Sequence, residues 1–192
     1  MHRSLTIVIA AAGTIAATLP GSALAQPAPP VHKHYDKPAD AAPPAPGQPV
    51  APRLQNLGVH TFPVSTTNAR AQLFMNQGIN LAFGFNHAEA ARAFAEAVRL
   101  DPNLAIAYAG HALVLGPNIN APMDPSAEPE ALALVQKAQA LKSRATPRER
   151  AYINAIAMRY TGKPEDRDRA NRAYADAMRA LVAAFQIGRA HV

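Results

Sequence analysis

Residues 89–102 read EAARAFAEAVRLDP, and the spacing of the apolar side chains in this stretch decides the fold. Ala90, Phe94 and Ala97 occupy positions i, i+4 and i+7, which lie on one face of an α-helix. Two of these three side chains are small, so another helix can approach that face closely. The stretch therefore predicts the second helix of a packed helix hairpin.

Polar residues and proline mark both ends of this predicted helix. Asn86 precedes it and can cap its first turn, with Glu89 three residues later at the spacing of a capping box. After the helix, we expect Asp101 to act as the N-cap of a following helix, with Pro102 in its first turn.

One helix upstream, residues 69–85 read ARAQLFMNQGINLAFGF and carry Phe74, Gly78 and Leu81 at i, i+4 and i+7. Glycine inside a helix costs about 1 kcal/mol relative to alanine. Gly78 therefore predicts that a neighbouring helix passes very close to the backbone at this position.

These positions together resemble the tetratricopeptide repeat, a 34-residue helix hairpin that stacks into solenoids. In that family a bulky aromatic, a glycine and a large apolar residue of the first helix precede Ala, Phe, Ala and Pro in the second. The matching residues keep the family's spacing and are Phe74, Gly78, Leu81, Ala90, Phe94, Ala97 and Pro102. The resemblance implies an all-α tetratricopeptide solenoid whose first unit spans about residues 71–104.

Two further units with a less regular pattern follow, at about residues 105–142 and 147–182. In the second unit the repeat positions fall on Tyr108, Ala112, Leu115, Ala131, Val135 and Ala138. This unit also contains a long proline-rich connection at residues 116–130. The third unit starts at a predicted N-cap, Thr146, with Glu149 at the capping-box position, and its second helix carries Ala170, Tyr174 and Ala177. We therefore predict a helical repeat domain of about three units over residues 65–186.

The N-terminal sequence MHRSLTIVIAAAGTIAATLPGSALAQ has the three parts of a secretory signal peptide. Arg3 supplies the positive start, residues 5–19 are apolar, and Ala23-Leu24-Ala25 is a small-x-small cleavage site. We expect residues 1–25 to be removed and the mature chain to be periplasmic or secreted. The apolar run is short for a membrane span, so no integral membrane segment is expected after cleavage.

Residues 26–64 are predicted to be a disordered, extended linker rich in proline and alanine. Proline lacks an N–H group and fixes φ, so the nine prolines between residues 26 and 52 disfavour both helix and sheet.

At the other end, residues 187–192 read IGRAHV and do not continue the helical pattern. Their reverse translation resembles the start of a common short-read sequencing adapter, so we expect a non-native tail on an N-terminal fragment of a longer repeat protein. Residues 66–182 also resemble a group of exported bacterial tetratricopeptide proteins. The Gly-Phe-Asn-His sequence at 84–87 and the Leu-Gly-Pro-Asn-Ile-Asn sequence at 115–120 carry this second resemblance.

The composition limits the classes of function. The chain has 192 residues, no cysteine and a formal net charge of +6. The absence of cysteine excludes disulfides, thiolate metal sites and a cysteine nucleophile. The basic residues are scattered among acidic neighbours and form no stripe with aromatic side chains, so no nucleic-acid partner is expected.

Stacked helix hairpins form a curved surface that is lined mainly by the first helix of each unit. By analogy with the family, the inward-facing residues are Gln72, Met75, Ile79, Ala82, Phe83, Ile106, Ala109 and Leu113. This mostly apolar lining predicts a non-catalytic interaction or scaffold module that binds a protein or peptide. Family members that grip chaperone tails use a Lys and an Asn where this chain has Met75 and Ile79, so an acidic tail is not the expected ligand. Alternatively, Phe83 and Ile79 pack beneath the 116–130 loop.

Other residues offer alternatives to this interpretation. Within the loop LGPNINAPMDP, Asn118 and Asn120 are candidate contacts, although Asn and Pro are also ordinary turn residues. No GxSxG, HExxH or glycine-rich phosphate-binding sequence occurs, and no cofactor, metal or catalytic residue is expected. The alternative function is the N-terminal part of a ligand- or metal-binding protein or an enzyme. Its active site would lie in further C-terminal sequence or at His87 and His111.

Overall fold

The computed structural model describes residues 45–185, and this part of the chain is helical. Its α-helices are α1 (Ala69–Phe83), α2 (His87–Leu100), α3 (Ala105–Leu115), α4 (Glu128–Leu141), α5 (Pro147–Ala157) and α6 (Arg167–Phe185). The described range contains no β-strand, which confirms the predicted all-α fold. The predicted signal peptide, most of the proline-rich stretch and the tail at 187–192 lie outside the described residues.

The helices pack mainly on their neighbours in the chain. α1 packs on α2, α3 on α4 and α5 on α6, and further contacts of α2 with α3 and of α4 with α5 join these three hairpins. Alanines without exposed surface lie at the helix contacts, among them Ala71, Ala90, Ala107, Ala131 and Ala138. Small side chains at these contacts allow the helix backbones to approach each other closely.

The ring of Phe94 joins the first hairpin to the second. Phe94 is buried, and a Cβ atom added at Gly78 of α1 would lie 2.6 Å from a carbon of this ring. At Gly110 of α3 the corresponding distance is 2.8 Å. Carbon atoms in contact are about 3.5–4.0 Å apart, so neither position accepts a side chain without movement of the ring. The prediction of a very close neighbour at Gly78 is confirmed, and Gly110 is a second such position.

Polar side chains cap several helices, in part at predicted places. The Asn68 side chain, which was not predicted as a cap, accepts hydrogen bonds from two backbone N–H groups in the first turn of α1. Asn86 accepts one from the N–H of Glu89 at 3.4 Å, as predicted, but the Asn86 N–H donates to the carbonyl of Leu81 and the Glu89 carboxylate pairs with Arg92, so the predicted capping box is not completed. At the start of α5, Thr146 and Glu149 form a reciprocal capping box, as the sequence predicts.

The predicted cap at Asp101 was wrong. Helix α3 begins at Ala105, four residues later, and the residue before it has no side-chain cap. The Asp101 carboxylate instead accepts a hydrogen bond from the N–H of Asn103 at 3.1 Å, which closes an Asx turn. A second bond, from the hydroxyl of Thr66 at 2.6 Å, holds this carboxylate away from the start of α3.

Buried charged groups join the second hairpin to the third. Glu128, at the start of α4, is 4% exposed and accepts hydrogen bonds from the Arg167 guanidinium and from the N–H of Gly162 at 3.1 Å. Arg167 also donates to the carbonyl of Arg159 at 2.7 Å. The α5–α6 connection is therefore fixed to α4 by charge-assisted hydrogen bonds.

Two tyrosines lie near this second joint, Tyr160 across it and Tyr174 within the third hairpin. The buried Tyr160 hydroxyl donates to the carbonyl of Ala112 in α3, and burial raises the pKa of Tyr160 above its ordinary value. The Arg159 guanidinium lies 4.6 Å from the centre of the Tyr174 ring, in a cation–π contact between the end of α5 and α6.

Residues 47–66 lie against the helices, and we call this segment the strap. It contains no helix or strand, but it is not the disordered linker that was predicted for residues 26–64. Its buried or half-buried apolar residues are Ala51, Leu54, Leu57, Phe62 and Val64. Burial of these side chains offsets the entropy lost when the segment is ordered.

The last helix is the least buried of the six described here. Only Ala170 and Leu181 of α6 are buried, whereas Val182 and Phe185 are exposed near its end. Within residues 45–185, no helix is both long enough and apolar enough to cross a bilayer.

Candidate functional site

Main-chain groups of the strap are hydrogen-bonded to side chains of the helices. Five strap N–H groups donate to carboxylate or amide oxygens at 2.8–3.0 Å. The pairs are Val50 with Glu96, Leu54 with Gln77, Phe62 with Asn76, Val64 with Gln72 and Ser65 with Glu149. Four strap carbonyls accept hydrogen bonds at 2.9–3.4 Å: that of Gly47 from Arg99, that of Pro52 from Gln77, that of His60 from Asn80 and that of Phe62 from Gln72. The helices thus recognise groups that every polypeptide backbone carries.

Four of these partners are amide side chains on one side of α1: Gln72, Asn76, Gln77 and Asn80, which we call the amide row. Their spacing places them next to each other on the helix surface. A side-chain amide has both an acceptor and two donors, so it can pair with the N–H and the carbonyl of an extended chain at once.

Two members of the amide row use both functions. Gln72 accepts from the N–H of Val64 at 3.0 Å and donates to the carbonyl of Phe62 at 2.9 Å. Gln77 accepts from the N–H of Leu54 and donates to the carbonyl of Pro52, both at 2.9 Å. Gln77 is only 4% exposed, so the strap supplies the partners that this buried amide needs.

The side chain of Phe62 lies in a socket on α5. Its ring contacts the ring of Tyr152 edge-on, with 5.6 Å between centroids, and the Arg148 guanidinium lies 4.9 Å from its centre. Edge-to-face and cation–π contacts of this kind favour an aromatic side chain over an aliphatic one. Phe62 is therefore the position at which the strap is recognised by its side chain.

The carboxylate of Glu96 on α2 holds the beginning of the strap. It has no exposed surface and accepts from the Arg99 guanidinium at 2.6 and 2.8 Å and from the N–H of Val50 at 2.9 Å. The hydrogen bond with Arg99, supported by the one with Val50, lowers the pKa of Glu96 despite burial of the carboxylate. The residue therefore stays ionised and remains an acceptor for the strap.

The carboxylate of Glu149 holds the end of the strap. One oxygen accepts from the N–H of Ser65 at 2.8 Å, and the other accepts from the N–H of Thr146 at 2.6 Å as part of the α5 capping box. Glu149 is 1% exposed. The capping box therefore fixes the carboxylate at the point where the strap reaches the third hairpin.

The middle of the strap forms an exposed turn. Val59 is 98% exposed, and Asn56 and Gly58 adopt left-handed backbone conformations with φ of 62° and 88°. An open cleft of about 660 Å³ lies between residues 53–61 and the amide row. Most hydrogen bonds of the strap are thus made by two stretches, residues 50–54 and 62–65, while the turn between them contacts the helices through Leu57 and the carbonyl of His60.

The residues predicted to line a concave surface have different environments. Met75, Ile106 and Ala109 are 2%, 4% and 1% exposed, so they belong to the core and are not available to a ligand in this structure. Helix packing on both sides of α1 and α3 buries these positions.

The other predicted lining residues are at least partly accessible. Ile79, Ala82 and Leu113 are half-buried against the core, and Gln72 contacts the strap. Phe83 is 83% exposed, so it does not pack beneath the 116–130 loop as the alternative interpretation proposed.

The two loop asparagines differ. The Asn118 side chain accepts from the N–H groups of Asn120 and Ala121 at 2.8 and 3.2 Å and contacts Nδ1 of His87 at 3.3 Å. Asn118 therefore orders its own loop and connects it to the start of α2. Asn120 is exposed.

The two candidate histidines have separate neighbours. His87 is 8% exposed and also stacks against the Phe85 ring, with centroids 6.2 Å apart. Nε2 of His111 lies 3.9 Å from a carboxylate oxygen of Glu130, and burial lowers the pKa of His111 to about 4. Among residues 45–185, no three His, Cys, Asp or Glu side chains are grouped so that they could hold a metal ion.

No family model, no curated protein and no solved structure matches the chain.

The amide row is the feature that the sequence analysis missed. Its signal was present, because four Asn or Gln residues lie within nine positions of a helix that otherwise carries apolar side chains and one arginine. Unpaired amides on a helix that packs into a core need partners. A search for those partners would have led to the extended segment before α1.

Proposed function

We propose that this chain is a non-catalytic protein–protein interaction or scaffold module of the tetratricopeptide type, and that its ligand is an extended polypeptide segment. In this proposal the chain is exported to the periplasm or the medium. The observation that carries the proposal is the amide row of α1, which together with Glu96 and Glu149 holds an extended chain by its main-chain groups.

The amide row suits this role because its hydrogen bonds do not depend on the ligand's sequence. Main-chain pairing gives affinity for an extended segment, and pockets for individual side chains add specificity. The socket formed by Tyr152 and Arg148 is such a pocket, and it takes an aromatic ring here. A small apolar ligand would leave the buried amide of Gln77 without partners, at a cost of about 1–3 kcal/mol.

The packing supports the tetratricopeptide part of the proposal. The repeat positions Phe74, Gly78, Leu81, Ala90, Phe94 and Ala97 are all buried. Consecutive helices pair as hairpins, as units of such a solenoid would. The sequence pattern of a signal peptide supports export. The alternative at His87 and His111 has less support, because these side chains contact Asn118 and Glu130 respectively, in separate surroundings.

Binding in trans tests this function. A specific protease site is inserted into the exposed turn at residues 56–60 of the full chain, and cleavage frees the part that ends near residue 57. A fluorescent synthetic peptide of residues 45–57 is then titrated against the cleaved chain. We expect saturable binding that Gln77→Ala abolishes, because Gln77 makes both bonds to Leu54 and Pro52.

Asn80→Ala is the matched control, because its partner, the carbonyl of His60, is not in this peptide. It should leave the affinity unchanged. Failure of the cleaved chain to bind the peptide, or equal binding by the Gln77→Ala variant, would contradict the proposed function.

A further inference from the structure

We infer that the strap is a resident ligand of this module: it occupies the binding site in the free chain, and an extended segment of the partner with an aromatic side chain displaces it. The inference rests on the proposed function and adds both the chemistry of the partner and the way in which the site is regulated.

The first support is the kind of contact that holds the strap. Apart from the Thr66 hydroxyl, which donates to Asp101 at the end of α2, its hydrogen bonds with α1, α2 and α5 are made by main-chain groups, as a bound peptide's would be. The strap contains no helix or strand. A partner segment with the same extended backbone can therefore form the same hydrogen bonds with the amide row.

The second support is that the strap can detach in parts. Its two attached stretches, residues 50–54 and 62–65, are separated by a turn in which Val59 is 98% exposed. An open cleft lies between residues 53–61 and α1, and the turn contacts the helices through half-buried Leu57 and one hydrogen bond from Asn80 to the carbonyl of His60. Release of either stretch would open part of the site and leave in place the contacts of Phe94 with Gly78 and Gly110, which join the first two hairpins.

The third support is the socket for Phe62, which sets the chemistry of the partner. Tyr152 presents its ring edge-on to that of Phe62, and the Arg148 cation lies 4.9 Å from the Phe62 ring centre. An aromatic residue of the partner fills this socket best. At the two ends of the strap, the carboxylates of Glu96 and Glu149 are paired with N–H groups, so the partner must offer free N–H groups at these two places. A proline there would remove the donor.

Occupation by the chain's own segment sets the apparent affinity for the partner. A tethered ligand competes at an effective concentration in the millimolar range for a short flexible connection. The apparent dissociation constant is the intrinsic one divided by the fraction of molecules with an open site. Weakening the strap without altering the helices must therefore tighten binding of an added peptide.

The test uses the full chain and a fluorescent synthetic peptide of residues 45–66 as the probe. Fluorescence anisotropy gives the apparent dissociation constant for the unaltered chain, for Phe62→Ala and for Val59→Ala. We expect Phe62→Ala to bind the probe about tenfold more tightly than the unaltered chain, because the strap loses its side-chain anchor. Val59→Ala, a change at an exposed residue of the same segment, should leave the constant unchanged.

Two further measurements separate the possible outcomes. Phe62→Leu keeps an apolar side chain and should lower the apparent dissociation constant by a smaller factor than Phe62→Ala. This variant keeps the inference testable if the alanine variant does not fold. Adding Tyr152→Ala to the Phe62→Ala chain should weaken binding of the probe again, because the socket is lost.

Equal affinity of the unaltered, Phe62→Ala and Phe62→Leu chains would overturn the resident-ligand inference and leave the proposed function intact. Failure of all these chains, and of the cleaved chain, to bind any peptide would overturn the proposed function itself.

Discussion

The joint between the first and second hairpins is apolar and close-packed, whereas the joint between the second and third adds a buried ion pair to its apolar contacts. In the first, the Phe94 ring lies between Gly78 and Gly110. In the second, Glu128 of α4 pairs with Arg167 of α6. Similar stacking of hairpins is therefore achieved by two kinds of chemistry, and only the apolar one can be recognised from the spacing of residues.

This difference has a consequence for stability. Packing of a ring on glycine does not depend on pH or salt, whereas a buried ion pair is costly if either charge loses its partner. Changes at the two joints should therefore differ in size and in their dependence on solution conditions.

Phe94→Ala should have the largest effect. Removal of a fully buried ring that contacts two helices leaves a cavity, and we expect a loss of about 4 kcal/mol in the free energy of unfolding. Urea denaturation followed by circular dichroism measures it. Ile119→Ala, a change at a residue that is 87% exposed, is the control and should stay within about 0.5 kcal/mol of the unaltered chain. A loss below about 1 kcal/mol for Phe94→Ala would contradict the packing of the first joint.

Glu128→Ala should follow, with a loss of about 3 kcal/mol, because the half-buried Arg167 guanidinium would lose its carboxylate. Asp176→Ala removes a carboxylate that also pairs with an arginine, Arg179, but both of these side chains are about three-quarters exposed. The second change should therefore cost less than about 0.5 kcal/mol. If the two variants unfolded at the same urea concentration, the second joint would not depend on its ion pair.

A smaller effect is expected on acidification, from His111 on α3. Its pKa is 6.5 when solvated and is lowered to about 4 by burial, while the carboxylate of Glu130, which lies 3.9 Å from Nε2 of His111, is itself exposed. Between these pH values the unfolded chain binds a proton that the folded chain does not, so stability falls as pH falls. The loss is about 2 kcal/mol between pH 6.5 and about pH 5.

His111→Gln should remove this part of the pH dependence. Thermal melts of both proteins across this range give a difference curve that isolates the histidine. A flat difference curve would show that His111 is accessible to solvent in the folded chain.

The smallest change to the apolar joint is Gly78→Ala, which adds one methyl group next to Phe94. We expect a loss of about 1–2 kcal/mol, because the added carbon would lie 2.6 Å from the ring unless the ring moves. Combined with Phe94→Leu, the same change should cost less than it does alone, and a double-mutant cycle measures this coupling. Strictly additive losses would mean that the two positions are not in contact.

The sequence predicted the features that depend on local spacing. The helical class, the close neighbour at Gly78 and the capping box of Thr146 and Glu149 follow from periodicity and from capping chemistry. The start of α3 was predicted too early, because an aspartate can either cap a helix or close a turn. Here the Asp101 carboxylate closes a turn with the N–H of Asn103, and it also accepts a hydrogen bond from the hydroxyl of Thr66, which is distant in sequence.

The candidate site was less predictable because its partners are far apart in sequence. Val50 pairs with Glu96, and Ser65 pairs with Glu149, across 46 and 84 residues. Proline content correctly indicated that the strap has no helix or strand, but it does not indicate whether an extended segment is bound. The predicted lining failed at Met75 and Ile106 because these side chains pack into the core.

The central claim is that side chains of α1, α2 and α5 bind the main chain of an extended segment. Amide hydrogen exchange of the full chain, resolved by residue with NMR, tests it most directly. We predict slow exchange for the N–H groups of Val50, Leu54, Phe62, Val64 and Ser65 and fast exchange at the exposed Gln55 and Val59. Exchange of all seven at the same unprotected rate would contradict the account.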